Sequence, residues 1–203
     1  MNVAKRRQIS TIQALSLAAV VAILIGVYQI RWQPHDSNGV VDAVSSLNGQ
    51  WVDRSAPYFE LVDLEGRVHR LSEYRGKVIF LNFWASFCEP CRREMPSMEA
   101  LVRQYEPQGM VMLAVSVDPE SDDIRKFMEE FLPGQRSAMT VLWDPESRSS
   151  ASYGTELLPE TYIVGRDGRI VARFVNAYDW MRPEVKRLIE ALLREQGKST
   201  RLL

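Results

Sequence analysis

The sequence predicts an α/β domain, a mixed sheet flanked by helices, preceded by one apolar N-terminal helix. Strand-length apolar runs, of which Val78 to Trp84 is the clearest, alternate with segments whose apolar residues recur at spacings of three and four. Glu65-Gly66 and Arg166-Asp167-Gly168 each separate two such runs and mark hairpins. The 23 residues from Gln8 to Ile30 carry no charge and stand apart from the rest.

Composition sets the outer limits. With 203 residues, 46% hydrophobic and 25% charged, the chain can bury one ordinary core and carry an appendage. Collagen-like, disordered and disulfide-dense classes are excluded. A net charge of −1 gives no electrostatic support to a nucleic-acid partner. Two cysteines build neither a disulfide framework nor a four-thiolate zinc site.

Lys5, Arg6 and Arg7 precede the uncharged stretch, whose apolar centre runs from Ala14 to Tyr28. As a helix it would extend roughly 34 Å against a hydrocarbon core of about 30 Å. Tyr28 and Trp32 stand where an interfacial aromatic belt is expected. A cleaved signal peptide needs small residues soon after the apolar run, and Tyr28-Gln29-Ile30-Arg31-Trp32 offers none. A buried core helix fits the lopsided charge less well. The expected organisation is therefore a cytoplasmic stub at 1–10, a transmembrane anchor at 11–30, a linker at 31–50 and a globular domain at 51–203. The excess of basic residues before the anchor predicts a cytoplasmic N-terminus and an extracytoplasmic domain. That domain carries 21 basic and 24 acidic residues, a mildly acidic surface.

Within it, Phe59 to Leu64 and Arg67 to Leu71 form the first hairpin. Val78 to Trp84 is apolar almost throughout, as a strand buried on both faces requires. Cys91, Met95, Met98, Val102 and Tyr105 give the next segment a helical stripe. Met110 to Val117 is a second buried strand, and Ser121 to Leu132 a helix with Ile124, Phe127, Met128 and Phe131 inward. Thr140 to Trp143 is a third strand, followed by a short helix from Ser147 to Tyr153 that Gly154 stops. Thr161 to Val164 and Arg169 to Val175 make the second hairpin. Pro183 opens a terminal helix that shows Val185, Leu188, Ile189 and Leu192 to the core.

The chemistry sits where the first buried strand gives way to a helix, at Cys88-Glu89-Pro90-Cys91. A thiol at a helix N-terminus faces unpaired backbone N–H groups and the positive end of the dipole, both of which favour thiolate. Cys88, the outer thiol, is the expected nucleophile, and Cys91, one turn further in, is placed to resolve a mixed disulfide. Glu89 lies between them, and its negative charge opposes the Cys88 thiolate, so the pair is expected to act as a reductant. Two inert cysteines on an apolar face are the alternative.

Asn82-Phe83-Trp84-Ala85-Ser86-Phe87-Cys88-Glu89-Pro90-Cys91, the helix proline Pro96, and Leu158-Pro159-Glu160-Thr161-Tyr162 together resemble the thioredoxin fold. More narrowly, they resemble its membrane-anchored TlpA/ResA-like thiol-disulfide oxidoreductases, over the whole globular part. The resemblance implies a kinked first active-site helix at Pro96, an N-terminal hairpin, and a central insertion around Ser116-Val117-Asp118. It implies a cis Leu158–Pro159 bond, beside the disulfide, that leaves the Leu158 backbone free to pair with an extended substrate. A trans proline ending a helix is the other reading. Thioredoxin carries a buried aspartate at the position of Asn82. The neutral amide here implies that Glu94 serves instead as a partly buried base with a raised pKa. Otherwise Glu94 is a solvated glutamate paired with Arg93 or Arg103. Phe87 stands where the family usually has Trp. Trp84, Phe87, Glu89, Pro90, Leu158 and Pro159 are the expected substrate-binding residues.

What the resemblance implies for function is reduction of protein disulfides outside the cytoplasmic membrane of a bacterium. Apocytochrome c, with its haem-binding CxxCH, is the expected substrate, in cytochrome c-type biogenesis. An integral membrane thiol donor of the DsbD/CcdA type would recharge the pair. No cofactor beyond the redox-active Cys88–Cys91 disulfide, and no metal, is expected. Two alternatives stay open: a copper-binding or thiol-reducing assembly factor for a terminal oxidase, with Met95 and Met98 as weak candidate ligands, and a disulfide-forming oxidant. A thiol peroxidase would need Thr or Ser three residues before the attacking cysteine, where Ala85 stands. His35 and His69 read as surface residues.

Overall fold

The computed structural model describes residues 19–22 and 37–194. The expected stub at 1–10 and most of the anchor at 11–30 lie outside the described residues; residues 19–22 are helical. Among the described residues no helix is long and apolar enough to cross a membrane. The described residues 38–194 form one compact unit.

That unit is built on an eight-stranded sheet. In chain order its elements are α1 (Ser37–Ser46), β1 (Gln50–Ser55), β2 (Glu60–Asp63), β3 (Val68–Arg70), β4 (Val78–Trp84), α2 (Glu89–Tyr105), β5 (Met110–Ser116), α3 (Ser121–Phe131), β6 (Thr140–Trp143), α4 (Arg148–Tyr153), β7 (Glu160–Val164), β8 (Arg169–Val175) and α5 (Pro183–Arg194). The strand order is β1-β8-β7-β4-β5-β6-β2-β3. β4, β5 and β6 run parallel, and the flanking pairs are antiparallel, so the sheet is mixed as expected.

β4 lies next to the centre of this order, and all seven of its residues are buried. Its alternate side chains divide between two cores. Val78, Phe80 and Trp84 join a cluster fed by α1, α2, α3 and α5. Ile79, Leu81 and Phe83 join a smaller one with Phe59, Tyr153 and Tyr162. Among the described residues, α4 is the one α-helix that supplies a buried residue, Tyr153, to this second core.

The hairpins form where the turn residues put them. Gly66 takes a positive φ of 82°, and Asp63 accepts from the backbone N–H groups of Glu65 and Arg67. The same carboxylate accepts from Arg67 and bonds His69, whose other ring nitrogen lies 2.6 Å from the Tyr74 hydroxyl. Burial pushes the Asp63 carboxyl up, but these partners outweigh it and hold the group well below the usual carboxylate range. His69 is therefore a hairpin pin rather than a solvated surface residue.

One expectation about the linker needs correction. From Ser37 onward the stretch expected to be a tether is folded: α1 buries Val40 and Val44, and Leu47 follows them into the core. The Tyr178 hydroxyl donates to the Leu47 carbonyl. Gly49 lies so close to Phe174 that an added Cβ would come within 2.5 Å of the ring. β1 then pairs with β8 at the sheet edge. Ser, Asn and Gly around α1 mask a helix that burial, not intrinsic propensity, stabilises.

Candidate active site

Backbone direction sets the site. β4 ends at Trp84, the chain turns through residues 85–87, and Cys88 caps α2 in an extended conformation. Cys91 N–H donates to Cys88 Sγ at 3.4 Å, one of the orphan donors that every helix start leaves. Cys88 and Cys91 are joined in a disulfide, with Cα atoms 5.3 Å apart. Cys88 is half-buried, whereas Cys91 is completely buried. Access thus favours attack at Cys88 and leaves Cys91 as the internal partner.

A carboxylate that sequence reasoning did not single out holds the turn ahead of Cys88. Asp118, buried just past β5, accepts from Ser86 N–H at 2.9 Å, Ser86 Oγ at 2.6 Å and Ser116 Oγ at 2.5 Å. Its carbonyl accepts from Trp143 Nε1 at 2.8 Å. Arg92 braces the other side: it donates to the Ser86 carbonyl at 3.3 Å, and its guanidinium lies 4.8 Å from the centre of the Phe127 ring. Ser86 is 32 residues from Asp118, so only the fold makes the pair visible.

Glu94 lies one turn beyond Cys91, buried at 2% exposure. Its Oε1 accepts from Asn82 Nδ2 at 3.0 Å. Oε2 accepts from Tyr178 N–H at 3.1 Å and Trp180 Nε1 at 3.0 Å. Burial raises its pKa to about 7, against the opposing pull of these hydrogen bonds. The burial and raised pKa expected of Glu94 are therefore present. The alternative ion pair with Arg93 or Arg103 does not form: Arg93 pairs with Glu89 and Arg103 with Glu99. Glu94 thus combines burial with a raised pKa on the same helix as Cys91.

The expected substrate-binding residues separate into two sets. Phe87, at 72% exposure, and Glu89 face solvent, and Pro90 and Leu158 are partly exposed. Leu157, 64% exposed, adds an apolar side chain before the proline loop that sequence reasoning passed over. The Leu158–Pro159 bond is cis. Glu89 is not an isolated charge: Arg93 and Arg92 lie 3.6 and 4.0 Å away, which weakens its opposition to a Cys88 thiolate. Trp84 is the correction. It is wholly buried, its ring 5.1 Å from Phe127, because the strand pleat turns it into the larger core. It supports the site from beneath and offers no surface to a substrate.

Met95 and Met98 are likewise fully buried core residues. Among the described residues no cluster of three or more His, Cys, Asp or Glu side chains could hold a metal ion.

The chain is similar to known proteins. Residues 52–173 match the profile described as the AhpC/TSA family. A thiol-disulfide oxidoreductase, ResA, from Geobacillus thermodenitrificans is 41% identical over 119 residues, 59% of this chain and 66% of that protein. ResA from Halalkalibacterium halodurans is 32% identical over 157 residues, covering 77% of this chain and 81% of its own length. Among solved structures, a Chlorobium tepidum protein described as a thiol:disulfide interchange protein, DsbE, superimposes with a TM-score of 0.64 at 30% identity. That match covers 71% of this chain and 99% of the other.

Proposed function

Because the chain belongs to the AhpC/TSA family, within its thioredoxin-like thiol-disulfide oxidoreductases, we propose that it reduces disulfides in other proteins on the outer side of a bacterial cytoplasmic membrane. One observation carries the reading. A half-exposed cysteine at a helix start is bonded to a buried one, and a buried carboxylate titrating near pH 7 lies one turn along the same helix.

The cycle starts from the dithiol. The Cys88 thiolate attacks a substrate disulfide; one substrate sulfur leaves as thiolate and takes up a proton, while the other stays bound to Cys88. Glu94 accepts the Cys91 proton, and the Cys91 thiolate attacks Cys88 Sγ. The second substrate thiol leaves, the Cys88–Cys91 disulfide closes, and two electrons have passed to the substrate. The exposed Phe87 and Leu157 offer apolar contact to a visiting chain. In this reading the Leu158 backbone, beside the cis proline, pairs with an extended segment of the substrate.

Apocytochrome c, through its CxxCH cysteines, is the substrate proposed, and a DsbD/CcdA-type membrane thiol carrier is the donor. The apolar N-terminal stretch supports a single-pass anchor, which would keep enzyme and donor in one membrane at high effective concentration. Trapping tests the substrate, and the reduction potential tests the direction of electron flow. Cys91→Ala, expressed in membranes, should accumulate mixed disulfides on Cys88 with cytochrome c precursors. Capture of only an oxidase copper subunit would contradict the substrate, and a reduction potential like that of a strong oxidant would reverse the electron flow.

A further inference from the structure

We propose that Asn82 is a positioning residue that follows the Glu94 proton by turning its side-chain amide over, donating to the carboxylate and accepting from the carboxylic acid. The inference rests on Glu94 as the base of the proposed cycle and gives that base a partner that suits both of its states.

Four observations converge on it. Asn82 is fully buried in β4, and its Nδ2 donates both to Glu94 Oε1 and to Thr161 Oγ1, each at 3.0 Å. Its Oδ1 is equally buried and has no partner, an uncommon condition for a buried amide oxygen. Glu94 Oε2 is held by two donors that cannot reverse, a backbone N–H and an indole N–H. An added proton therefore belongs on Oε1, the oxygen that faces Asn82. In that state the present amide orientation sets donor against donor. Turning the amide by half a revolution brings Oδ1 to the same 3.0 Å separations, where it accepts from the Glu94 acid and from Thr161. A threonine hydroxyl donates or accepts equally well, so Thr161 suits both orientations. A fixed donor in this place would stabilise the carboxylate alone.

Among the described residues no other charged group bonds Glu94. β4 and β7 face Glu94 with Asn82 and Thr161, both neutral. The loop before α5 presents Tyr178 N–H and Trp180, while Asp179 is exposed and accepts from Met181 N–H. The Tyr178 hydroxyl is engaged with Leu47. On α2 itself Cys91 is in the disulfide, and Arg92 and Arg93 are exposed. Burial and the hydrogen bonds of Tyr178, Trp180 and Asn82 govern the group.

The test is NMR of the full-length oxidised chain in detergent micelles, with 15N-labelled Asn and 13Cδ-labelled Glu. Glu94→Gln and Asn82→Leu identify the two signals, with Asn82→Ser for the latter should the leucine variant not fold. The Asn82 amide signals should move with the midpoint of the Glu94 carboxyl carbon. Nuclear Overhauser contacts from the Nδ2 protons to the Thr161 methyl should be present above that midpoint and lost below it. Asn82→Leu should displace the Glu94 midpoint less than threefold in proton concentration, since an apolar residue withdraws support from both states. Contacts that persist on both sides of the midpoint, or a displacement of tenfold or more toward higher pH, would mean a fixed donor and overturn the toggle while leaving Glu94 as base. Absence of any Glu94 titration between pH 5 and pH 9 would remove the base and the toggle together.

Discussion

Replacing Glu94 by Gln should change how stability depends on pH. The Glu94 carboxyl rises from 4.5 to about 7 in the folded protein because burial disfavours its charge. Between those values the native state holds a proton that the unfolded chain releases, so stability falls as pH climbs through the window. The stabilisation is complete below about pH 4.5 and gone above about pH 7. At about 1.4 kcal/mol per unit the loss amounts to about 3 kcal/mol. With 2% exposure, solvent screening takes little from that figure. Gln keeps the shape and removes the titration. Urea unfolding of the oxidised chain, followed by tryptophan fluorescence from pH 4 to pH 8, gives both stability curves. Their difference cancels every other titrating group. Glu94→Gln should gain about 3 kcal/mol on the parent across that range. Parallel curves would refute the raised pKa, and with it the role of Glu94 as a base near neutrality.

Three further outcomes follow from packing and hydrogen bonding. Asp118→Ala strips Ser86 and Ser116 of their shared side-chain acceptor; it should cost about 2–4 kcal/mol in urea unfolding and slow disulfide exchange, with Asn restoring part of both. Val44 is completely buried, so Val44→Asp should cost more than about 3 kcal/mol, whereas a free tether would show no change in the urea midpoint. Phe87→Ala should leave stability within about 0.5 kcal/mol, since the ring is 72% exposed, yet raise the KM for a protein disulfide roughly tenfold if the ring anchors substrate.

What could be read along the chain was whatever depends on neighbours in sequence. β4 was legible because an apolar run without alternation has few other uses, and the CxxC was legible because a helical stripe begins directly behind it. Glu94 was singled out through the resemblance, by the neutral amide at Asn82, and the cis proline through the resemblance of its flanking residues. The partners that make these groups work come from far away. Tyr178 and Trp180 reach Glu94 across 84 and 86 residues, and a lone Trp in a loop carries no local mark of that contact. α1 was hidden for another reason. Three apolar residues, Val40, Val44 and Leu47, are too few to overcome the Ser, Asn and Gly around them until the core supplies a surface. Trp84 shows the reverse error: the motif placed it among the substrate-binding residues, although a strand buried on both faces leaves it no outward side.

The transfer itself is open to direct observation. The reduced full-length chain, mixed at neutral pH with an oxidised CxxCH peptide and quenched with an alkylating reagent, yields masses that count free thiols on each partner. The peptide should gain two thiols as Cys88 and Cys91 lose theirs, with the rate collapsing in Cys88→Ser. A pair that stays reduced beside the oxidised peptide, or exchange that survives loss of Cys88, would contradict the account at its centre.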